Sequence, residues 1–367
     1  MKNKYWSILP LTLLMIFSCT EDEPEVDDNE SNSDFDRAAI LTNWADNIII
    51  PSYGEYTLST ENLNAAAVAF SNSVTVENLE SLRAAYAEAY IKWQHAAIYE
   101  IGPAETLQLR NFTNIYPINV TAVEANISGE TYNLELPSTF DEQGFPVLDY
   151  LLYGAGDTAE NVNDYFKDND GAKSYLLDLT ERLDQLSSGV LTSWTTGYRD
   201  DYVADSGDAV NAAFSKTVNQ FINYYERHLR SGKVGIPAGA LSGNPSPERV
   251  EAFYQGDFSK DLLTEAILAT QNFFNGKAYQ TSATGASLKS ALISLERAQL
   301  ATDINAQFET ILNATDSLNN NFSEEVANNN TALLNLRDEL QRNTILFKTD
   351  MVSALNVTIS IQDNDGD

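Results

Sequence analysis

The stretch Gly144-Phe145-Pro146-Val147-Leu148-Asp149-Tyr150-Leu151-Leu152-Tyr153-Gly154 is the densest aliphatic and aromatic run beyond the N-terminal apolar segment. Pro146 has a fixed φ and no amide hydrogen, which suits the first turn of a helix, and Gly154 suits a helix end. The stretch therefore predicts a short buried helix of about two turns that carries Asp149.

The carboxylate of Asp149 needs a partner, because moving an unpaired carboxylate out of water costs several kcal/mol. Two alternatives follow from its apolar surroundings. The side chain either hydrogen-bonds a neighbouring backbone group or an arginine, as most buried polar groups do, or it faces a binding cavity.

Apolar residues recur at helical spacing along most of the chain. Pro51 predicts a kink or a break in the first helix, and Gly102-Pro103 predicts the end of the second. The predicted helices span residues 36–72, 77–100, about 119–127, 171–198, 209–231, 247–254, 259–275, 288–318 and 322–355.

A change in composition divides this helical body. Residues 232–247 contain four glycines and three prolines, which is typical of a crossover between domains. Length and crossover together predict an all-α protein with two helical-bundle domains, residues 36–200 and 201–360. The alternation of Tyr132, Leu134 and Leu136 also predicts one arm of a small β-hairpin over residues 131–136.

The N-terminus has the features of an export signal. Lys2 and Lys4 precede an apolar run that closes on Ile16-Phe17-Ser18-Cys19, which predicts a signal peptide over residues 1–18. The closing residues resemble a bacterial lipobox, in which Cys19 is acylated. Residues 19–35 are rich in Asp and Glu, which predicts a flexible tether. We therefore expect a lipid-anchored protein of the outer membrane, facing the cell surface or the periplasm.

Charge and cysteine content limit the function classes. The chain has 22 Lys and Arg against 53 Asp and Glu, a formal net charge of −31. So negative a field repels phosphate backbones and excludes nucleic acid as a partner. Cys19 is the only cysteine, so the fold contains no internal disulfide and depends on its core.

Common catalytic motifs are absent from the sequence. There is no G-x-S-x-G elbow, no phosphate-binding loop and no H-E-x-x-H. The two histidines, His95 and His228, lie on different predicted helices, and each is more often a packed or surface residue than a ligand. The sequence therefore argues against enzymatic activity.

Several segments resemble the imelysin-like proteins, an exported bacterial family first described as insulin-cleaving peptidases. Its G-x-H-x-x-E signature is similar to Gly144-x-Pro146-x-x-Asp149, with proline in place of the histidine and aspartate in place of the glutamate. Further segments that match the family in order are Trp93-Gln94 with Gly102-Pro103, Arg110-Asn111 to Tyr116-Pro117, Lys233-Val234-Gly235-Ile236-Pro237-Ala238-Gly239, Val250-Glu251-Ala252-Phe253 and Gln271 to Gly276.

The resemblance implies two bundles with the signature at their junction, and a role linked to iron uptake. We expect a non-catalytic binding protein with a ligand cleft there, in which Arg110 or Lys233 pairs with Asp149. The expected ligand-binding residues are Trp93, Glu100, Arg110, Tyr116, Asp149, Tyr153 and Lys233.

The link to iron makes a metal ion such as iron the candidate cofactor. Asp149 and Glu100 are candidate ligands, since hard oxygen donors suit ferric iron, and His95 is a third candidate. The expected partners are the lipid membrane through Cys19, a small ligand or metal, and an outer-membrane uptake protein. Two alternatives stay open: a metallopeptidase of the imelysin type, and a surface lipoprotein that binds a peptide, protein or glycan.

Overall fold

The computed structural model describes residues 35–129 and 131–360. The predicted signal peptide, Cys19 and the acidic tether up to residue 34 lie outside these ranges. The all-α prediction is confirmed. No strand occurs in the described residues, where the only β pairing is an isolated bridge between Lys277 and Thr284. No helix within those ranges is long and apolar enough to cross a bilayer.

The first part of the described chain is organised around three long helices. Its α-helices are α1 (Arg37–Asn43), α2 (Ile50–Asn72), α3 (Val76–Ala96), α4 (Pro103–Thr106), α5 (Leu109–Thr113), α6 (Val120–Gly129), α7 (Gly144–Asp149), α8 (Ala159–Lys167) and α9 (Asp170–Ser193). Three π-helical segments, Trp44–Ile49, Tyr150–Gly154 and Trp194–Tyr198, continue α1, α7 and α9, and a 3-10 helix spans Pro137–Glu142.

The second part contains the remaining helices. They are α10 (Arg199–Ala204), α11 (Ala213–Asn223), α12 (Ser259–Asn275), α13 (Leu288–Ser294), α14 (Ala298–Asp316), α15 (Phe322–Ile345) and α16 (Val352–Ala354). The π-helical segment Tyr224–Gly235 continues α11, Leu346–Met351 continues α15, and Pro247–Arg249 is a 3-10 helix.

Capping and apolar packing explain the long helices. The side chains of Thr75 and Asn169 accept backbone N–H groups at the starts of α3 and α9, which satisfies donors that have no partner within the helix. α2 packs against α3 and α9, α15 packs against α14 and Tyr224–Gly235, and α12 joins the two groups by contacting α3 and α14. The division into domains at residue 200 stays a prediction.

The predicted β-hairpin over residues 131–136 is wrong. Asn133 accepts the backbone N–H of Glu135 through its side chain, with an N···O distance of 2.9 Å, and the chain turns there. Such a local bond competes with strand pairing. Leu134 is buried whereas Leu136 is exposed, so the two leucines do not share a buried face.

Three predicted helices also differ from the structure. Of the kink or break predicted at Pro51, the break does not occur, because Pro51 lies in the first turn of α2, which directly continues a π-helical segment. The helix over residues 288–318 is divided, because Glu296 adopts a left-handed φ of 59° between α13 and α14. The helix over residues 247–254 is reduced to Pro247–Arg249, because the following segment turns at Ala252, whose φ is 54°.

Candidate functional site

A cavity of about 210 Å³ lies between α3, the segment around α5 and the π-helical segment Tyr224–Gly235. We call it the basic cavity. Its lining residues are Trp93, Gln94, Ala97, Arg110, Asn114, Ile115, Tyr116, Tyr224, Arg227, His228, Gly232, Lys233, Ile236 and Arg249. Four of the seven predicted ligand-binding residues are therefore brought together: Trp93, Arg110, Tyr116 and Lys233.

Arg110 is buried and held by neutral acceptors. Its Nε and Nη2 donate to the carbonyl oxygen of Ala97 at 3.1 and 2.8 Å, and Nη1 lies 3.1 Å from Nε2 of His228. Burial, together with the charge of Arg110, lowers the pKa of His228 well below its usual value. His228 is therefore neutral and accepts a hydrogen bond from the guanidinium.

Lys233 forms a buried ion pair with Glu251, a residue from the loop before α12. The ammonium group also donates to Oε1 of Gln94 at 2.8 Å. Asn114 Nδ2 donates to Glu251 Oε1 at 2.7 Å, so the carboxylate binds the ammonium and an amide. Burial lowers the pKa of Lys233, and Glu251 counteracts the shift. The wall of the basic cavity is thus a connected polar network.

Asp149 is paired with backbone groups, and the prediction that Arg110 or Lys233 is its partner is wrong. Its carboxylate oxygens accept the backbone N–H groups of Tyr254 at 2.7 Å and Gln255 at 3.0 Å. Burial raises the pKa of Asp149 to about 7, while these hydrogen bonds and the side chain of Tyr86 lower it. Asp149 therefore anchors the loop that carries Glu251.

A second cavity of about 180 Å³ lies beside this anchor. Tyr116 lines both cavities, and Pro146 and Asp149 line the second. Glu100 and Tyr153 line neither, which corrects their predicted place in the cleft. The carboxylate of Glu100 accepts the backbone N–H of Arg110 at 3.1 and 3.2 Å, and the ring of Tyr153 lies 4.5 Å from the guanidinium carbon of Arg83.

Comparison with known proteins assigns the family. The imelysin family model (Peptidase M75) matches residues 49–343. The chain belongs to the imelysin family. It is 23% identical over 239 residues to iron-regulated protein A of Synechococcus elongatus, a match that covers 61% of this chain and 62% of that relative. The chain thus spans less than two thirds of the relative's length.

Two solved structures share the imelysin fold with this chain. An imelysin-like protein from Psychrobacter arcticum 273-4 has a TM-score of 0.71 at 16% identity, covering 90% of this chain and 98% of its own. A candidate iron-regulated protein A precursor from Parabacteroides distasonis has a TM-score of 0.66 at 16% identity, covering 86% and 95%. At this identity the likeness establishes the fold alone.

The imelysin signature residues of this chain do not fit a metal ion. Pro146 has no ligating side-chain atom, and both carboxylate oxygens of Asp149 already accept backbone N–H groups. His95 Nε2 lies 2.9 Å from a carboxylate oxygen of Glu265, so the three candidate ligands Asp149, Glu100 and His95 have separate partners. No group of three or more His, Cys, Asp or Glu residues in the described ranges is arranged to hold a metal.

Sequence reasoning missed several residues of the site. Gln94 and Glu251 complete the network around Lys233, while Tyr224 and Arg249 line the cavity. Gln94 and Glu251 both occur in segments that match the imelysin family, and this match could have identified them as site residues. Tyr224 and Arg249 carry no comparable signal, because tyrosines and exposed arginines occur elsewhere in the chain.

Proposed function

We propose that this imelysin-family chain is a non-catalytic binding protein of the cell envelope that takes part in iron acquisition. The observation that carries the proposal is the basic cavity, where residues from α3, α5, the segment after α5 and the π-helix converge. These elements bring Lys233 beside Trp93, Arg110 and Tyr116, although Lys233 lies more than 100 positions further along the chain.

The titratable groups of the cavity favour binding over catalysis. Lys233 is occupied by Glu251 and Gln94, and neutral His228 is occupied by Arg110. A general base must reach the proton that it abstracts, whereas both groups are already engaged in internal contacts. Pro146, at the position of the signature histidine, also favours binding over catalysis, because proline supplies neither a general base nor a metal ligand.

The size of the cavity favours a small ligand. Sites for drug-sized molecules measure about 300–1,000 Å³, whereas the basic cavity measures about 210 Å³. This favours a small molecule over the folded protein, peptide or glycan of the alternative proposal. The names of two similar proteins, an iron-regulated protein A and its candidate precursor, support a link to iron and to export.

Blocking the basic cavity is expected to abolish the protein's contribution to iron accumulation under iron limitation. Ile236 lines the cavity and is 43% exposed, so Ile236→Trp fills the entrance without crowding the core. In the source bacterium lacking its own copy, the Ile236→Trp chain should restore iron accumulation under iron limitation no better than an empty vector. The unaltered chain should restore it fully.

The matched control is Ile345→Trp, because Ile345 is 50% exposed, lies on α15 and does not line the cavity. It should restore iron accumulation as the unaltered chain does. Full restoration by Ile236→Trp, at equal protein level, would show that the basic cavity is not the functional site.

The proposed membrane anchor predicts a separate result. Replacing Cys19 by alanine removes the acylated thiol and should move the protein from the membrane fraction to the soluble fraction. The measurement is fractionation of cells that express either chain, with Ser18 unchanged in both. Complete retention of Cys19→Ala in the membrane fraction would contradict the lipoprotein proposal.

A further inference from the structure

The basic cavity concentrates positive charge in an acidic protein. Arg110, Arg227, Lys233 and Arg249 line it, four of the 22 Lys and Arg residues in the chain. None of its lining residues is acidic in the described part of the chain, although the chain has 53 Asp and Glu. We propose that the cavity binds a small anion with carboxylate or phosphate groups, a proposal that rests on the binding function above.

The protein neutralises the charge of Lys233, whereas the guanidinium groups of Arg110 and Arg249 form no ion pair with a described carboxylate. Glu251 pairs with Lys233 behind the cavity wall, and Glu100 binds the backbone N–H of Arg110. The guanidinium of Arg110 itself contacts neutral acceptors, the Ala97 carbonyl and His228. Arg249 is exposed and forms no ion pair with any described residue. An anion in the cavity would therefore meet charge that remains available for pairing.

A neutral donor beside the cavity also has no partner. The hydroxyl of Tyr224 is buried and makes no hydrogen bond within the described residues, although Tyr224 lines the cavity. Burial raises the pKa of Tyr224 and of Tyr116, so both hydroxyls keep their protons and are able to donate. A buried polar group without a partner costs free energy, and an anionic acceptor would satisfy it.

Size and charge together define the ligand class. A volume of about 210 Å³ lies below the about 300–1,000 Å³ of sites for drug-sized molecules, which favours a small ligand. Carboxylate and phosphate groups are the usual partners of arginine, because two of their oxygens accept parallel hydrogen bonds from the planar guanidinium. Iron handled by this cavity would accordingly arrive as a complex with an anionic ligand, because bare Fe³⁺ would be repelled by the clustered cations.

The test is calorimetric titration of the full chain, kept in detergent, with citrate and with inorganic phosphate. At least one anion should bind with one-to-one stoichiometry, and the affinity should fall as the salt concentration rises. Citrate binding alone assigns a carboxylate ligand, and phosphate binding alone assigns a phosphate ligand. Binding of both supports the shared anionic class. Absence of binding for both anions overturns the proposal.

Variants of lining residues test whether the anion binds in the cavity or on another surface. Arg249→Gln should weaken binding about fivefold, and Tyr224→Phe about tenfold, because a hydrogen bond to a charged group is lost. Arg297→Gln is the matched control, since Arg297 is also exposed but does not line the cavity, and it should change the affinity less than twofold. Equal effects of Arg249→Gln and Arg297→Gln would place the bound anion elsewhere and overturn the proposal.

The outcome is distinguishable from failure of the proposed function. If neither anion binds while Ile236→Trp still abolishes iron accumulation, the binding function stands and the anionic class is wrong. If an anion binds in the cavity while Ile236→Trp leaves iron accumulation unchanged, the anion site stands and the role in iron acquisition is wrong.

Discussion

Replacement of Gly144 by alanine is expected to lower the free energy of unfolding by about 3–5 kcal/mol. Gly144 has a φ of 78°, and a β-carbon there would lie 2.2 Å from the carbonyl oxygen of Thr113 and 2.6 Å from its carbonyl carbon. Both neighbours are backbone atoms of α5, so neither is able to rotate away. The left-handed φ adds about 1–2 kcal/mol for a residue with a β-carbon.

Gly54→Ala provides the matched control for this prediction. Gly54 lies within α2, and a β-carbon built there has no neighbour within 4 Å. Because alanine is the better helix former, Gly54→Ala should raise the free energy of unfolding by about 0.5–1 kcal/mol. Urea unfolding of both variants measures the difference. A loss below about 1 kcal/mol for Gly144→Ala would contradict the steric argument.

Removal of the Lys233 ammonium has the second large expected effect. Lys233→Met leaves the carboxylate of Glu251 buried without its cation, with the two side chains 5% and 3% exposed. Breaking a buried ion pair by removing one partner costs about 3–5 kcal/mol, mainly because the remaining charge is uncompensated. The pair also connects α3, through Gln94, to the loop before α12, so the cavity wall should loosen as well.

The double variant Lys233→Met with Glu251→Gln distinguishes this cause from a loss of packing. Removing both charges eliminates the uncompensated carboxylate, so the double variant should recover at least half of the stability that Lys233→Met loses. The measurement is urea unfolding of the two single variants and the double variant. A double variant as unstable as the sum of the single variants would show that the pair contributes through packing alone.

The sequence by itself determined the features that depend on neighbouring residues. Gly144 and Pro146 predicted the start of the short helix, which the structure places at Gly144–Asp149. Helical spacing of apolar residues predicted a helix over residues 77–100, and the structure has α3 at Val76–Ala96. Its apolar residues Leu79, Leu82, Tyr86, Tyr90 and Trp93 are all buried. Such signals are readable because helix periodicity and backbone conformation are local properties of the chain.

Local sequence patterns predicted the wrong secondary structure in two segments where side chains form hydrogen bonds with the backbone. The alternation in residues 131–136 predicted a strand, but the Asn133 side chain favours a turn there. The helix predicted over residues 247–254 is reduced to Pro247–Arg249, because the chain turns at Ala252 and the carboxylate of Asp149 accepts the backbone N–H groups of Tyr254 and Gln255 after the turn. In both segments a hydrogen bond to a side chain replaced the backbone pairing that periodicity predicted.

Only the tertiary structure decided which charges meet. Asp149 binds backbone groups 105 and 106 positions away, and Gln94 contacts Glu251 across 157 positions. Among 53 acidic residues, composition gave no reason to select Glu251 as the partner of Lys233. Pairing across such distances is fixed by how the helices pack and by the cost of burying an unpaired charge. Neither is encoded in the spacing of residues along the chain.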